Sequence, residues 1–220
     1  DEVIRDMKKI DPTAFFCLGN TPMRDFRDLV QEVQQAVPSI KHYVQLTPGG
    51  KQEDFLAGCQ NFEELFSPAA LEELKTDERL IAALRQEYYE LGTRDPHIII
   101  FTTGSTGEPK PALICHENTL TNNAVFSREV GLYGTDSRYL NSMPTSHVAG
   151  TCQGPMTVWF VGGTVISLGM YSPPAVLSSI DKYKPTWWGG VPTMFRMLWL
   201  DPKYETYDIS SLRYILYGGS

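Results

Sequence analysis

The amino-terminal part of the chain alternates between helical and extended hydrophobic patterns. Apolar residues recur at helical spacing over 3–10 and again over 26–37, whereas 14–18 and 43–46 are short runs rich in apolar residues. Apolar residues three or four positions apart mark one face of a helix, and short apolar runs bounded by polar segments are typical of strands. The order helix, strand, helix, strand predicts a parallel α/β layer.

Helical patterns dominate the next stretch of the chain. A short helix is predicted over 62–66, and Ser67 followed by Pro68 is typical of the cap and first turn of another helix. One apolar face then continues over 80–91. We expect Gly92 to end this helix in the left-handed conformation that glycine tolerates.

Strand and helix patterns alternate through the rest of the chain. Residues 97–101 predict a strand that ends in a run of Thr, Gly and Ser, 112–115 predicts the next strand, and Asn118 is expected to cap a helix that begins near Thr119. Further strands are predicted at 139–143, 164–168, 186–188 and 214–217, with helices at 154–160, 175–183 and 193–200. The expected fold class is α/β, a doubly wound, mostly parallel sheet with helices on both faces. We expect one domain over 1–220, with a subdomain boundary near 94–97.

Charge and cysteine content narrow the function classes. The chain has 19 Lys and Arg against 26 Asp and Glu, a formal net charge of −7, which argues against unspecific nucleic-acid binding. Its four cysteines form no CxxC pair, so neither a zinc site nor a dense disulfide framework is indicated. No run approaches 18 apolar residues, and the first ten residues do not resemble a signal peptide. These features predict a soluble cytoplasmic protein without a membrane span.

The segment 101–110 has the composition of a phosphate-binding loop. Glycines allow backbone N–H groups to turn toward an anion, the hydroxyls of Thr and Ser can donate as well, and Lys110 adds a mobile positive charge. The residues predicted to bind phosphate are Thr102, Thr103, Gly104, Ser105, Thr106, Gly107 and Lys110.

Two other interpretations of this loop fit its composition less well. The common P-loop requires Gly-x-x-x-x-Gly-Lys-Ser/Thr followed by a helix, whereas here Pro109 and Pro111 flank the lysine and a strand is predicted to follow. A surface turn rich in small polar residues is the second alternative, although a turn needs neither consecutive hydroxyls nor a lysine. We therefore predict a strand-loop-strand arrangement that binds phosphate.

The loop closely resembles the phosphate-binding signature of the adenylate-forming enzyme superfamily, whose members include acyl-CoA synthetases, peptide-synthetase adenylation domains and luciferases. The usual form of this signature is Tyr/Phe-Thr-Ser-Gly-Thr/Ser-Thr-Gly-x-Pro-Lys-Gly. Thr103 stands where serine is usual and keeps the hydroxyl. Pro111 stands where glycine is usual and removes a backbone donor, so the path of the chain after Lys110 is expected to differ from the usual one.

Later segments resemble motifs of the same superfamily, in the same order. His116-Glu117-Asn118 is similar to its His-x-Asn segment, and 141–150 is similar to a motif at the edge of the acyl pocket in which a proline precedes a histidine, here His147. From chemistry alone, His147 is equally compatible with an ordinary loop histidine. The segments 184–195 and 217–220 are similar to the strand and helix start that follow and to the Gly-Gly-Ala/Ser segment beside the adenine.

The resemblance implies an ATP-dependent acid–CoA ligase. In such enzymes a carboxylate attacks the α-phosphate of ATP, pyrophosphate leaves, and the acyl-adenylate passes its acyl group to CoA. The resemblance implies that residues 102–110 hold the β- and γ-phosphates with Mg²⁺, which Thr106 contacts, and that His147, Gly218 and Gly219 border the carboxylate and the adenylate. The implied cofactors are ATP, Mg²⁺ and coenzyme A, and the implied partner is a small-molecule carboxylic acid, as in fatty-acid metabolism.

The resemblance also limits what is expected of this chain. The superfamily's later elements, including its carboxyl-terminal catalytic lysine, find no match, so the chain is expected to be part of the large amino-terminal domain and inactive alone, and no catalytic residue is assigned. Amino-acid-activating members carry an aspartate near the position of His147, but no acidic residue lies between Tyr139 and Val158, which favours an uncharged acyl or aryl acid.

Trp187 and Trp188 are assigned to the core, because paired aromatic residues on a central strand usually pack there. The alternatives are a non-catalytic nucleotide-binding module and a P-loop-like nucleotide hydrolase.

Overall fold

The structure, a computed structural model, describes residues 2–102, 107–132 and 134–219. Its internal contacts divide the chain into two compact units. The first consists of Asp1–Leu91 with Phe101–Pro111, and the second of Gly92–Ile100 with Ala112–Ser220. The predicted subdomain boundary near 94–97 stays a prediction about the domain organisation of the protein.

A three-stranded parallel sheet forms the centre of the first unit. Its elements are α1 (Glu2–Ile10), β1 (Ala14–Leu18), α2 (Arg27–Ala36), β2 (His42–Leu46), β3 (Cys59–Asn61), α3 (Phe62–Leu65), α4 (Pro68–Thr76) and α5 (Glu78–Glu90). The strand order is β1-β2-β3, and β3 was not predicted from the sequence. The core consists of Val30, Val33, Val37, Ile40 and Tyr43, with Val3, Ile4 and Met7 of α1 packed against it.

Side-chain caps explain where the helices of this unit begin. Ser67 accepts the backbone N–H of Ala70, which confirms the predicted start of α4. The predicted left-handed end of α5 at Gly92 is wrong, because Gly92 does not have a positive φ. The Asp95 carboxylate instead accepts the Gly92 N–H at 2.7 Å, so a side chain supplies the partner that a left-handed turn would have supplied.

A two-stranded sheet of β4 (Pro96–Thr102) and β5 (Lys110–Cys115) flanks the predicted phosphate loop. The strands predicted on either side of the loop are therefore confirmed, and Lys110 begins a strand, not the helix that a P-loop would require. The boundary between the two units runs through both strands.

A four-stranded parallel sheet forms the centre of the second unit. Its elements are α6 (His116–Glu129), β6 (Arg138–Asn141), α7 (Pro155–Phe160), β7 (Thr164–Ser167), α8 (Pro173–Tyr183), β8 (Trp187–Gly190), α9 (Pro192–Trp199) and β9 (Tyr214–Tyr217). Helices α8 and α9 pack on one face against Leu140 and Trp188. Phe126 of α6 and Val158 of α7 pack on the other face against Tyr139 and Trp187. The α/β class with parallel strands and helices on both faces is thus confirmed, although the strands form three sheets rather than one.

The strand order of the second unit is β7-β6-β8-β9. The chain leaves β6 toward β7 on one side and returns to β8 on the other side. The order therefore reverses between β6 and β8, and in open parallel sheets such a switch point leaves a crevice at the carboxyl ends of the strands. The fold places a potential binding site at the residues that follow Asn141 and Gly190.

Two further expectations concern α6 and membrane spans. The prediction that Asn118 caps α6 is wrong, because the helix begins at His116 and Cys115 is its N-cap. Asn118 is the third helical residue, and its side-chain oxygen accepts the backbone N–H of Cys115 at 3.2 Å. Asn118 therefore gives a hydrogen-bond partner to the backbone N–H of the N-cap residue. In the part of the chain that the structure describes, no helix is both long and apolar enough to cross a membrane.

Candidate functional site

A cavity of about 800 Å³ lies at the switch point of the four-stranded sheet. Its walls come from the loop after β6, the π-helical turn that leads into α7, and the ends of β8 and β9. The lining residues used below are Tyr139, His147, Gly154, Trp187, Gly189, Leu216, Gly218 and Gly219. The structure therefore brings three of the sequence-predicted site residues, His147, Gly218 and Gly219, to one cavity within the second unit.

Hydrogen bonding determines which nitrogen of His147 carries a proton when the ring is neutral. The backbone N–H of Ala149 donates to His147 Nδ1 at 3.1 Å, so Nδ1 is the acceptor and Nε2 carries the proton. The His147 side chain is exposed and lines the cavity. It can therefore offer an N–H donor to an acceptor such as a carboxylate or a phosphate oxygen.

A π-helical turn, Ala149–Gln153, follows His147 and holds this loop against the sheet. The side-chain amide of Asn141, at the end of β6, donates to the Gly150 carbonyl at 3.1 Å, and Thr151 Oγ1 donates to the Thr145 carbonyl. These two hydrogen bonds join the turn to the end of β6 and to the loop that precedes it. Sequence analysis predicted the helix that follows but not this turn.

Gly218 and Gly219 form the opposite edge of the cavity, directly after β9. Gly219 has a φ of +79°, a conformation that glycine adopts without strain. No heavy atom lies within 4 Å of the position that a Cβ on Gly218 would occupy. The backbone at this edge is therefore open to close approach by a ligand.

Two aromatic side chains lie at the other end of the cavity. Tyr139 and Trp187 are 2% and 1% exposed, and their ring centroids are 4.4 Å apart. Burial raises the pKa of Tyr139 to about 12, so its hydroxyl stays neutral at physiological pH. Trp187 is thus both a core residue, as the sequence indicated, and part of the cavity wall, which the sequence did not indicate. Its partner Trp188 faces the other side of the sheet and donates to Ser142 Oγ at 2.9 Å.

The described part of the phosphate loop lies in the first unit. Thr102 ends β4, and its hydroxyl donates to the Lys110 carbonyl at 3.4 Å. Gly107 has a φ of +90° with no heavy atom within 4 Å of its Cβ position, so its backbone is accessible. Lys9 Nζ lies 3.1 Å from the Pro109 carbonyl and binds the end of the loop. The predicted residues Thr103, Gly104, Ser105 and Thr106 lie outside the described residues.

The described loop residues fit an anionic ligand better than a metal cage. Lys110 is exposed and has no ion-pair partner within the described ranges, which leaves its ammonium group available to a phosphate. Across those same ranges, no cluster of three or more His, Cys, Asp or Glu side chains could hold a metal ion. A metal bound here would rely mainly on phosphate oxygens and water, as Mg²⁺ commonly does in phosphate-binding sites.

The chain matches a family model and several known proteins. Residues 6–220 match the model of the family described as "AMP-binding enzyme". The chain is 35% identical over 130 residues to a feruloyl-CoA synthase of an Amycolatopsis species, covering 59% of the chain and 26% of that relative. It is 30% identical over 159 residues to a mitochondrial medium-chain acyl-CoA ligase of Macaca fascicularis, covering 67% of the chain and 26% of that relative.

A solved structure extends the fold comparison to the whole chain. The structure of an anthranilate CoA ligase in complex with anthranoyl-AMP has a TM-score of 0.74 and 18% sequence identity, and the match covers 100% of this chain and 38% of that one. The chain thus spans about a quarter of the length of the curated relatives it matches.

Proposed function

The chain belongs to the AMP-binding enzyme family, and from this premise we propose that it is part of an ATP-dependent acid–CoA ligase that forms an acyl-adenylate, releases pyrophosphate and then makes an acyl-CoA thioester. The observation that carries the proposal is the cavity at the sheet's switch point, bordered by His147 on one side and by Gly218 and Gly219 on the other. Both curated relatives described above are named for CoA-thioester formation.

The chemistry proposed for this cavity is binding and orientation of a carboxylate beside a nucleotide. The His147 Nε2–H can donate to a carboxylate or phosphate oxygen, and the open backbone at Gly218 and Gly219 allows a flat group to approach closely. Reactions of this type depend on positioning and on stabilising developing charge more than on a protein nucleophile. The absence of acidic residues between Tyr139 and Val158 favours an uncharged acyl or aryl acid.

We further propose that residues 102–110, with Lys110, bind the β- and γ-phosphates of ATP. Mg²⁺ would bind through the phosphates and the Thr106 hydroxyl, and coenzyme A would accept the acyl group. When bound, Mg²⁺ neutralises charge on the phosphates of the leaving pyrophosphate. The chain's own contribution is the Lys110 ammonium group and the accessible backbone at Gly107.

A cytoplasmic location and a role in fatty-acid metabolism are parts of the same proposal. None of the four cysteines, all of which lie in described residues, forms a disulfide, which fits a reducing compartment. The match to a relative named for medium-chain acids supports the fatty-acid role, whereas the relative named for feruloyl-CoA supports an aryl acid.

The test is pyrophosphate release by the full-length protein from ATP and Mg²⁺, with a panel of fatty and aromatic acids, with and without CoA. We expect release that requires an acid, and thioester formation that requires CoA. Lys110→Ala should slow release roughly 100-fold, the scale of losing one charge-stabilising donor. Lys8→Ala, which removes an exposed lysine of helix α1, is the control and should leave the rate unchanged.

Two outcomes would contradict the proposal. Phosphate rather than pyrophosphate, released regardless of acid, would indicate a nucleotide hydrolase. ATP binding without any acid-dependent product, by a protein whose Lys110→Ala variant loses that binding, would indicate a non-catalytic nucleotide-binding module.

A further inference from the structure

The cavity in the second unit has an open end and a closed end. His147, Gly218 and Gly219 lie at the carboxyl ends of the strands, at the open end of the cavity. Tyr139 and Trp187 lie nearer the amino ends of their strands and are directly paired in register across β6 and β8. Because both rings are almost fully buried and pack against each other, they close the far end of the cavity.

The length of strand between the two ends limits the size of the bound group. Trp187 and Gly190 are the first and last residues of β8. Three residues of extended chain span about 10 Å. An acyl group of about eight carbons in extended form, or a ring with a short linker, fits this length, whereas a chain of sixteen carbons does not.

Gly189 determines the width of the cavity between its two ends. A Cβ on Gly189 would lie 3.6 Å from the Leu216 carbonyl oxygen, 3.7 Å from Leu216 Cβ and 3.8 Å from the Tyr139 hydroxyl, all ordinary contact distances. A larger side chain at this position would therefore extend into space that the cavity now occupies. Gly154 also lines the cavity, and its missing side chain leaves room for the Tyr139 ring.

Gly190 provides a matched contrast to Gly189. Successive residues of a strand point to opposite faces of the sheet. A Cβ on Gly190 would lie 3.3 Å from Met194 Sδ and 3.4 Å from Phe195 Cε2, on the face that packs against α9. Both glycines line the cavity, but a side chain at Gly190 would point into the core, whereas one at Gly189 would enter the cavity.

We infer that the cavity selects carboxylic acids with a flat or medium-length acyl group of up to about 10 Å. In this inference, Gly189 is the residue that admits a planar ring, and Trp187 with Tyr139 excludes longer chains. This inference rests on the proposed function, because it assigns the cavity to the acid. Gly189 is a specificity-determining residue in this account and takes no part in the chemistry.

The experiment measures kcat/KM for acid-dependent pyrophosphate release by the full-length protein with 4-hydroxycinnamic, octanoic, dodecanoic and hexadecanoic acids. Wild type and variants are measured with the same four acids. For the wild type we expect the first two acids to exceed hexadecanoic acid at least tenfold. Gly189→Val should lower kcat/KM for 4-hydroxycinnamic acid at least tenfold relative to octanoic acid, because a ring needs more width than a chain. Trp187→Leu should raise the value for dodecanoic acid relative to octanoic acid.

Val176→Ala, in the buried core on the α8 and α9 face and outside the cavity lining, is the control and should lower the melting temperature without changing the ratio between acids. A wild type that prefers hexadecanoic acid, or a Gly189→Val variant that is as stable as the wild type and keeps its ratio of acids, would overturn the inference while the proposed function stands. A wild type that releases pyrophosphate with none of the acids overturns the proposed function and this inference together. Trp187→Phe, which keeps an aromatic ring, checks that any effect of Trp187→Leu is not due to misfolding.

Discussion

Cys17 and Cys59 lie on the same sheet, yet the pKa values of their thiols shift in opposite directions. Cys17 pairs in register with Gln45 of β2, and Cys59 pairs with Tyr43 of the same strand, so both thiols lie on the same face but on the two outer strands. Their backbones are two strand spacings, roughly 9.6 Å, apart across the sheet and are also offset by two residues along it, which exceeds the reach of a disulfide. The Cys17 thiol donates to the Val44 carbonyl at 3.6 Å. Interaction between the two thiols raises the pKa of Cys17 and lowers that of Cys59.

We expect Cys59 to react with iodoacetamide faster than the other cysteines. Its interaction with Cys17 lowers the pKa of its thiol, and Gln34 Nε2 donates to its sulfur at 3.8 Å. Cys59 also lines a cavity of about 380 Å³ that a small reagent can enter. Burial raises the pKa of Cys152, and the Cys115 thiol lies 3.1 Å from the Asn118 side-chain oxygen, to which it donates. The thiolate is the reactive form, so Cys59 should exceed Cys152 by roughly tenfold or more.

Pulsed alkylation followed by peptide mass spectrometry measures all four rates in one sample. Cys17→Ala removes the neighbouring thiol that lowers the pKa of Cys59 and should slow alkylation of Cys59, whereas Cys152→Ala should not. An unchanged Cys59 rate in Cys17→Ala would mean that the Cys17 thiol does not control its reactivity.

The π-helical turn after His147 is an element that depends on one glycine. A Cβ on Gly150 would overlap the Pro144 carbonyl and lie 2.7 Å from the Met143 carbonyl oxygen, and backbone atoms cannot move aside without displacing the loop. Gly150→Ala should therefore lower the free energy of unfolding by about 1–3 kcal/mol. It should also raise KM for the acid, because the displaced loop carries His147.

Gly169→Ala is the matched control for this prediction. Gly169 has no heavy atom within 4 Å of its Cβ position and no left-handed φ, so its substitution should change stability by less than about 0.5 kcal/mol. Denaturant unfolding of both variants gives the comparison. Equal stability of Gly150→Ala and the wild type would show that the turn can relax around a methyl group.

Hydrophobic patterns predicted most of the elements of this fold, because each strand and helix presents a regular apolar face. Strand β8 with Trp187 and Trp188, for example, was predicted from local composition and lies at the centre of its sheet. The exceptions depend on partners distant in sequence or on side-chain choices. Strand β3 is only three residues long and exists because it pairs with β2, and Gly92 is held by Asp95 rather than by its own conformation.

Positions of candidate site residues could be predicted from the sequence where those residues follow the end of a strand. His147, Gly218 and Gly219 follow β6 and β9, where parallel sheets bind ligands, so their place was predictable from the strand pattern together with the family resemblance. The role of Trp187 in the cavity wall was not predictable from the sequence. A sequence shows that a residue is apolar, but it does not show which side of a sheet borders a cavity. The register that pairs Trp187 with Tyr139 is a property of the folded sheet.

At the scale of the whole molecule, each of the two units has its own hydrophobic core. Val33 is fully buried in the core of the first unit, and Leu177 is fully buried in a core of the second. The clusters share no residue. Mutations without shared partners usually have additive effects on stability.

We therefore expect Val33→Ala and Leu177→Ala to act on different parts of the protein. Val33→Ala should cost roughly 2 kcal/mol, and Leu177→Ala about 2–5 kcal/mol, through lost burial and the cavity left behind. Hydrogen exchange of the Val44 amide in β2 reports on the first unit, and that of the Leu140 amide in β6 reports on the second. Each substitution should speed exchange at the amide of its own unit and leave the other unchanged. If either substitution speeds both amides equally, the two cores unfold as one cooperative body, and the free energy that protects the cavity at the switch point then depends on packing in the first unit as well.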